Sequence, residues 1–140
     1  MRILAVLFLC CLASGGFADP QATQALNEYR AREGRAPLAY SAALEAAARV
    51  HADDMAARGF FDHRGSDGST VGARVTGQGY GWCFVAENIA QGQRTLGEVM
   101  RSWAGSRGHR RNMLAREARE FALVEGTGRI WVMVLAAPGC

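Results

Sequence analysis

The chain has 140 residues, of which 49% are hydrophobic and 21% are charged. This length fits one ordinary globular domain and leaves no room for two. All sixteen basic residues are arginine, yet the formal net charge is only +3. Because no sustained basic patch follows from that balance, nucleic acid and anionic membranes are not expected partners. We also expect a monomer.

Residues 1–18 have the pattern of a secretory signal peptide. Arg2 supplies a positive start, residues 3–12 form an apolar run, and small residues precede a cleavage point after Ala18. The apolar run is too short to span a membrane comfortably. We therefore predict export to a periplasmic or extracellular location, with a mature domain over residues 19–140.

Two cysteines, Cys83 and Cys140, remain in the predicted mature domain. In an oxidising compartment, one disulfide between them is the economical interpretation, and two free thiols are the alternative. The bond would tie the end of the chain to a central apolar run.

Helix signals fill the first half of the mature domain. Asp19 and Pro20 are typical of a helix start, and Gly34 can end that helix. Ser41 caps a second, alanine-rich helix that runs to Arg58.

The middle of the domain begins with a glycine-rich loop. It runs over residues 64–81 and contains a short helical turn at residues 70–75. A third helix follows the central strand. Residues 106–109 then indicate a break and a new cap, followed by a short helix through Leu114. Helical spacing in the third helix is set by Leu96, Val99, Met100 and Trp103.

Three strands complete the prediction. The run over residues 83–90 is apolar except for Glu87 and Asn88. Residues 121–125 and 129–136 form two more strands, which a Gly-Thr-Gly hairpin joins. Because both faces of the last strand are apolar, it should lie in the middle of the sheet. Helices around a small antiparallel sheet predict an α+β fold, a three-layer α-β-α sandwich.

Glu87 raises the main chemical question in this sequence. An unpaired carboxylate in an apolar interior is costly, so Glu87 must reach solvent, stay protonated or pair with a cation. His63 and His109 are the candidate partners. His51, on the apolar face of the second helix, is interpreted as a satisfied core histidine.

Three motifs occur in order over most of the mature domain. Together they resemble the bacterial branch of the CAP superfamily, named for cysteine-rich secretory proteins, antigen 5 and pathogenesis-related proteins and also called the SCP domain. The resemblance covers about residues 25–136. The motifs are Asp54-Met55 followed by Phe60-Phe61-Asp62-His63, then Ala86-Glu87-Asn88-Ile89-Ala90, and then the segment from Trp103 to Leu114.

The resemblance implies a central cleft in which His63 and Glu87 face each other. Animal and plant members carry two histidines and two glutamates there, and some bind zinc or another divalent cation. In this chain Ser106 stands at the place of the second glutamate, and the second histidine is absent. His109 is the available substitute, so the candidate metal ligands are His63, Glu87 and His109.

Two interpretations of the His63 and Glu87 pair stay open. One is a zinc or other divalent-metal site with a position left for water, and the other is a hydrogen-bonded ion pair that holds the loop on the sheet. Two aromatic residues in the glycine-rich loop either line the cleft or pack. The candidate cleft residues are Tyr80, Trp82, Asn88 and Ser106.

No catalytic residue is predicted, because no persuasive nucleophile or Gly-x-Ser-x-Gly motif occurs. We expect an exported, non-enzymatic binding module whose cleft holds a divalent metal, a small apolar ligand or a protein partner. The alternatives are a zinc-assisted hydrolase acting on an ester, peptide or glycan, and a purely structural envelope protein.

Overall fold

A computed structural model describes residues 19–140, so the predicted signal peptide lies outside the described residues. The elements, in chain order, are α1 (Pro20–Arg32), β1 (Ala39–Tyr40), α2 (Ala42–Arg58), α3 (Val71–Gly77), β2 (Trp82–Gln91), α4 (Leu96–Gly105), α5 (Arg107–Met113), β3 (Glu120–Gly126) and β4 (Ile130–Pro138).

The first two helices begin at the residues that their sequence signals indicate, and α1 ends at Arg32, two residues before the predicted Gly34. The Asp19 carboxylate accepts hydrogen bonds from two backbone N–H groups in the first turn of α1, and the Ser41 hydroxyl accepts one in α2. Gly59 ends α2 in the left-handed conformation, with φ of 67°, which suits glycine. The predicted turn after Thr70 is the seven-residue helix α3.

The sheet has four strands in the order β1-β3-β4-β2. Strand β4 lies in its interior and pairs antiparallel with both β2 and β3, as its two apolar faces predict. The two-residue strand β1 pairs in parallel with the start of β3. The predicted α+β class and α-β-α layering are confirmed, and the parallel β1 pair adds a feature that the sequence pattern does not indicate.

Two hydrophobic cores lie on opposite faces of the sheet because side chains alternate along β4. One core joins the sheet to α1, α4 and α5, and the other joins it to α2 and α3. Helix α2 approaches β3 so closely that a Cβ atom at Gly126 would lie 2.9 Å from the Ala52 Cβ. The first core receives Trp131, Met133 and Leu135 from β4, and the second receives Ile130, Val132, Val134 and Ala136.

The predicted disulfide between Cys83 and Cys140 is present. It joins the start of β2 to the chain end beyond β4, where the Gly139 N–H also donates to the Gly81 carbonyl at 3.1 Å. Within residues 19–140, no helix has the length and apolar character needed to cross a membrane.

Candidate functional site

The Glu87 side chain extends from β2 toward the layer of α2 and α3, and only 2% of it is exposed. Its Oε1 accepts a hydrogen bond from Nδ1 of His63 at 2.8 Å. Its Oε2 accepts one from Nη2 of Arg74 at 2.7 Å. The buried carboxylate therefore contacts the guanidinium of Arg74 and the imidazole of His63, and these two contacts offset the free-energy cost of its burial.

Arg74 is the partner of Glu87 that the sequence patterns do not single out. Its side chain is 4% exposed, and its Nη2 also donates to the His63 carbonyl at 3.1 Å. Arg74 therefore fixes both the carboxylate and the loop that carries the histidine. One signal could have found it: Arg74 lies three residues after Val71 and beside Val75, on the buried face of α3.

An open cavity of about 410 Å³ adjoins the Glu87 ion pair, and we call it the His63 cavity. The His63 ring forms part of its wall, and the His63 side chain is 57% exposed. The hydrogen bond to Glu87 raises the pKa of His63, and partial burial offsets part of that effect. The cavity is lined by Asp62, His63, Arg64, Thr70, Val71 and Glu87.

His51 is a fully buried histidine beneath this pair. Its Nε2 lies 2.9 Å from the Asp62 carbonyl and 3.8 Å from Oε1 of Glu87. Burial lowers the pKa of His51, so the ring is neutral and its Nε2–H donates to the carbonyl. Its Nδ1 has no hydrogen-bond partner among the described residues, so the predicted core histidine is satisfied at one nitrogen.

His109 lies on α5, with its ring centroid 6.4 Å from that of Trp103. Burial lowers the pKa of His109, and the charge of His63 lowers it further. Within residues 19–140, His109 forms no ion pair with Glu87. The structure thus brings His63 and Glu87 together and leaves His109 out of their contact.

Asn88 points to the opposite face of the sheet from Glu87 and is fully buried. Its Nδ2 donates to the His109 carbonyl at 3.1 Å. Its Oδ1 accepts from Nδ2 of Asn112 at 2.9 Å, and the same Asn112 nitrogen donates to the Glu87 carbonyl at 3.2 Å. Adjacent residues of β2 therefore connect the strand to different helical layers. Asn112 also satisfies a backbone carbonyl of β2, which is an edge strand of the sheet.

The other candidate cleft residues do not line the His63 cavity. The Tyr80 hydroxyl donates to the Glu120 carboxylate, and burial raises the pKa of Tyr80. The Trp82 indole packs over Gly72, where a Cβ atom would lie 2.5 Å from the ring. Ser106 precedes α5 and makes no side-chain capping hydrogen bond. Both aromatic residues of the glycine-rich loop thus have packing and hydrogen-bonding roles.

The residues around Glu87 do not fit a divalent metal. Both carboxylate oxygens are already in hydrogen bonds, and the guanidinium of Arg74 at 2.7 Å would repel a second cation. In the described part of the chain, no group of three or more His, Cys, Asp or Glu side chains is placed to hold a metal ion. The metal site stays a prediction, and the geometry favours the ion pair.

We expect the bond between His63 and Glu87 to stabilise the fold more at pH 5.5 than at pH 8. Because the folded pKa of His63 is raised above the unfolded value of about 6.5, the extra stability is present below the unfolded pKa. It is lost as the pH rises through the folded pKa. Urea unfolding of the wild type and His63→Gln at both pH values measures this difference.

His109→Gln is the control for that experiment, because the pKa of His109 is lowered and not raised. Its effect on the free energy of unfolding should change with pH in the opposite direction. A His63→Gln effect that is constant or larger at pH 8 would contradict the pairing.

The fold and the buried Glu87 beside His63 define an SCP-type domain, with a helical layer on each face of the sheet. The family model for CAP, the cysteine-rich secretory protein family, matches residues 23–128. The chain belongs to the CAP family.

Bacterial proteins are similar to this chain in sequence and in structure. The uncharacterised protein YkwD from Bacillus subtilis is 31% identical over 96 residues, which are 69% of this chain and 37% of YkwD. The chain thus spans little more than a third of that relative.

Two solved structures share the fold. An extracellular protein containing an SCP domain from Bacillus anthracis has a TM-score of 0.79 and 23% identity, over 83% of this chain and 39% of that protein. An outer surface protein from Borrelia burgdorferi has a TM-score of 0.77 and 17% identity, over 88% of this chain and 97% of that protein.

Proposed function

We propose that this chain is an exported, non-enzymatic binding module whose His63 cavity takes a small ligand with an apolar body and a hydrogen-bond acceptor. One observation carries the proposal. The side chains of Glu87 and Arg74 are 2% and 4% exposed, whereas that of His63 is 57% exposed, so His63 is the part of the ion pair that a ligand can reach.

The chemistry of the cavity wall determines the class of ligand. Nδ1 of His63 donates to Glu87, which leaves Nε2 as the ring nitrogen available to a ligand. Nε2 donates to an acceptor when the ring is protonated, and the hydrogen bond to Glu87 raises the pKa of His63. Arg64 adds a positive charge and Val71 an apolar surface. Asp62 also lines the cavity, but its Oδ1 accepts from the Arg64 N–H at 2.7 Å. A medium-chain carboxylate combines the acceptor and the apolar body that these groups suit.

Export is supported by two separate observations. Residues 1–18 have the charge and apolar pattern of a signal peptide. Two structural neighbours are described as an extracellular protein and an outer surface protein. We therefore place the binding function outside the cytoplasm.

Binding is proposed ahead of zinc-assisted hydrolysis because of how Glu87 is held. A base or metal ligand needs a carboxylate lone pair that the substrate or metal can reach, and the Glu87 side chain is only 2% exposed with each oxygen accepting a hydrogen bond. A purely structural role is the remaining alternative, since the same contacts connect β2 with α3 and the His63 loop.

Calorimetric titration of the disulfide-intact protein with octanoate tests the proposal. We expect saturable binding that weakens about tenfold in His63→Ala, the lower end of the effect for loss of one hydrogen bond to a charged group. Arg58→Gln, on the exposed end of α2, should bind as the wild type does.

A parallel titration with zinc chloride tests the metal alternative. Micromolar zinc binding that is lost in His63→Ala would favour the metal site and a hydrolase screen. If neither octanoate nor zinc binds, the ligand proposal fails and the structural role remains.

A further inference from the structure

A second pocket, of about 320 Å³, has four arginines in its wall and shares no residue with the His63 cavity. We call it the arginine pocket, defined by Arg30, Arg35, Arg116 and Arg119. The other lining residues are glycine, alanine and proline, and no acidic side chain is among them. It lies where the end of α1 meets the segment between α5 and β3.

Arg30 is the buried member of this group, with only 1% of the residue exposed. Its Nε donates to the Ala36 carbonyl at 2.8 Å, and its Nη1 donates to the carbonyls of Met113 and Ala115 at 2.7 and 3.2 Å. Within residues 19–140, Arg30 forms no ion pair and its Nη2 has no protein acceptor. A buried guanidinium without a counter-charge is costly, and an anion in the pocket would offset that cost.

The neighbouring arginines increase the positive potential at Arg30. Burial lowers the pKa of Arg30, and the charges of Arg35 and Arg119 lower it further. Arg35 uses its Nε to donate to the Leu114 carbonyl at 3.0 Å. Arg119 donates through Nη1 to the carbonyls of residues 116–118. Both retain further N–H groups, which a ligand can use.

We propose that the arginine pocket binds a phosphate group, either as free phosphate or as the phosphomonoester headgroup of a larger molecule. Guanidinium groups pair with oxyanions through parallel N–H···O bonds. Several cations around one cavity favour a multiply charged oxyanion over a single carboxylate. This inference is independent of the ligand proposed for the His63 cavity.

Titration of the isotope-labelled, disulfide-intact protein with inorganic phosphate, followed by amide NMR, is the first test. Shifts should saturate at one site and map to residues 30–37 and 113–119. Arg116→Gln is the main variant, because Arg116 makes no side-chain hydrogen bond within residues 19–140. Arg35→Gln is the second. Each should weaken binding about tenfold, whereas Arg58→Gln, with the same change in charge, should leave it within about twofold.

A second arm identifies the source of the phosphate group. Phosphatidylcholine vesicles with and without phosphatidic acid are sedimented with the wild type and the same variants. If the protein sediments with the phosphatidic acid vesicles but not with phosphatidylcholine alone, and Arg116→Gln weakens this, the ligand is a lipid headgroup. If inorganic phosphate saturates the NMR shifts and the vesicles do not bind, the ligand is the free ion. No binding in either arm, or equal weakening in Arg58→Gln and Arg116→Gln, would overturn the proposal.

Discussion

Replacing Arg74 with methionine is expected to lower the free energy of unfolding by about 3 kcal/mol. Arg74 and Glu87 have side chains that are 4% and 2% exposed, and their charged atoms are 2.7 Å apart. Removing one partner of a buried pair leaves an uncompensated charge, which is the most costly way to break the pair. His63 still contacts Glu87 in this variant, so we take the lower end of the range. Urea unfolding followed by tryptophan fluorescence measures the loss.

Arg58→Met is the matched control for Arg74→Met, since Arg58 is exposed at the end of α2. Its effect should stay within about 0.5 kcal/mol, as for most surface substitutions. A loss below about 1 kcal/mol in Arg74→Met would mean that Glu87 does not depend on this guanidinium.

Removal of the disulfide should cost about as much as removal of Arg74. Cys83 and Cys140 are 57 residues apart in sequence, and the chain-entropy model assigns roughly 4 kcal/mol to closing a loop of this size. The bond also fixes the start of β2, four residues before Glu87. The double variant Cys83→Ala with Cys140→Ala should therefore unfold at a clearly lower urea concentration than the wild type.

A reductant provides the control for the disulfide experiment. Reduced wild type should unfold close to the double variant, and the double variant should not respond to reductant. An unchanged unfolding midpoint after verified reduction would show that the bond contributes little to stability.

Most of the fold could be predicted because its elements carry local signals. Caps at Asp19 and Ser41 define two helices, and the apolar faces of β4 place that strand inside the sheet. Strand β1 could not be predicted in this way. It has two residues and pairs with β3 about 80 residues later, so neither periodicity nor a neighbouring turn indicates it.

Site residues that lie in a sequence motif could be predicted. A site residue whose contact depends on tertiary structure could not be predicted in the same way. His63 and Glu87 lie in motifs and meet in the fold. Arg74 is one of sixteen arginines in a chain without lysine, so its residue type says little about its role. The contact of Arg74 with Glu87 requires α3 to pack on β2, and no local sequence pattern indicates that packing.

Strand geometry explains why Asn88 is not a wall of the His63 cavity. Successive side chains in a strand point to opposite faces, so Glu87 and Asn88 could not both face the same layer. The sequence contains that information once β2 is assigned. The arginine pocket is different, because Arg30 and Arg116 come from separate parts of the chain and only the fold brings them together.

The most direct test of the Glu87 ion pair is a double-mutant cycle of Arg74→Met and Glu87→Gln, measured by urea unfolding at neutral pH. If the buried carboxylate is held by this guanidinium, the double variant should be less destabilised than the sum of the single variants, by about 2 kcal/mol or more. Additive effects, with a coupling below about 0.5 kcal/mol, would contradict the ion pair as the feature that holds Glu87 in the interior.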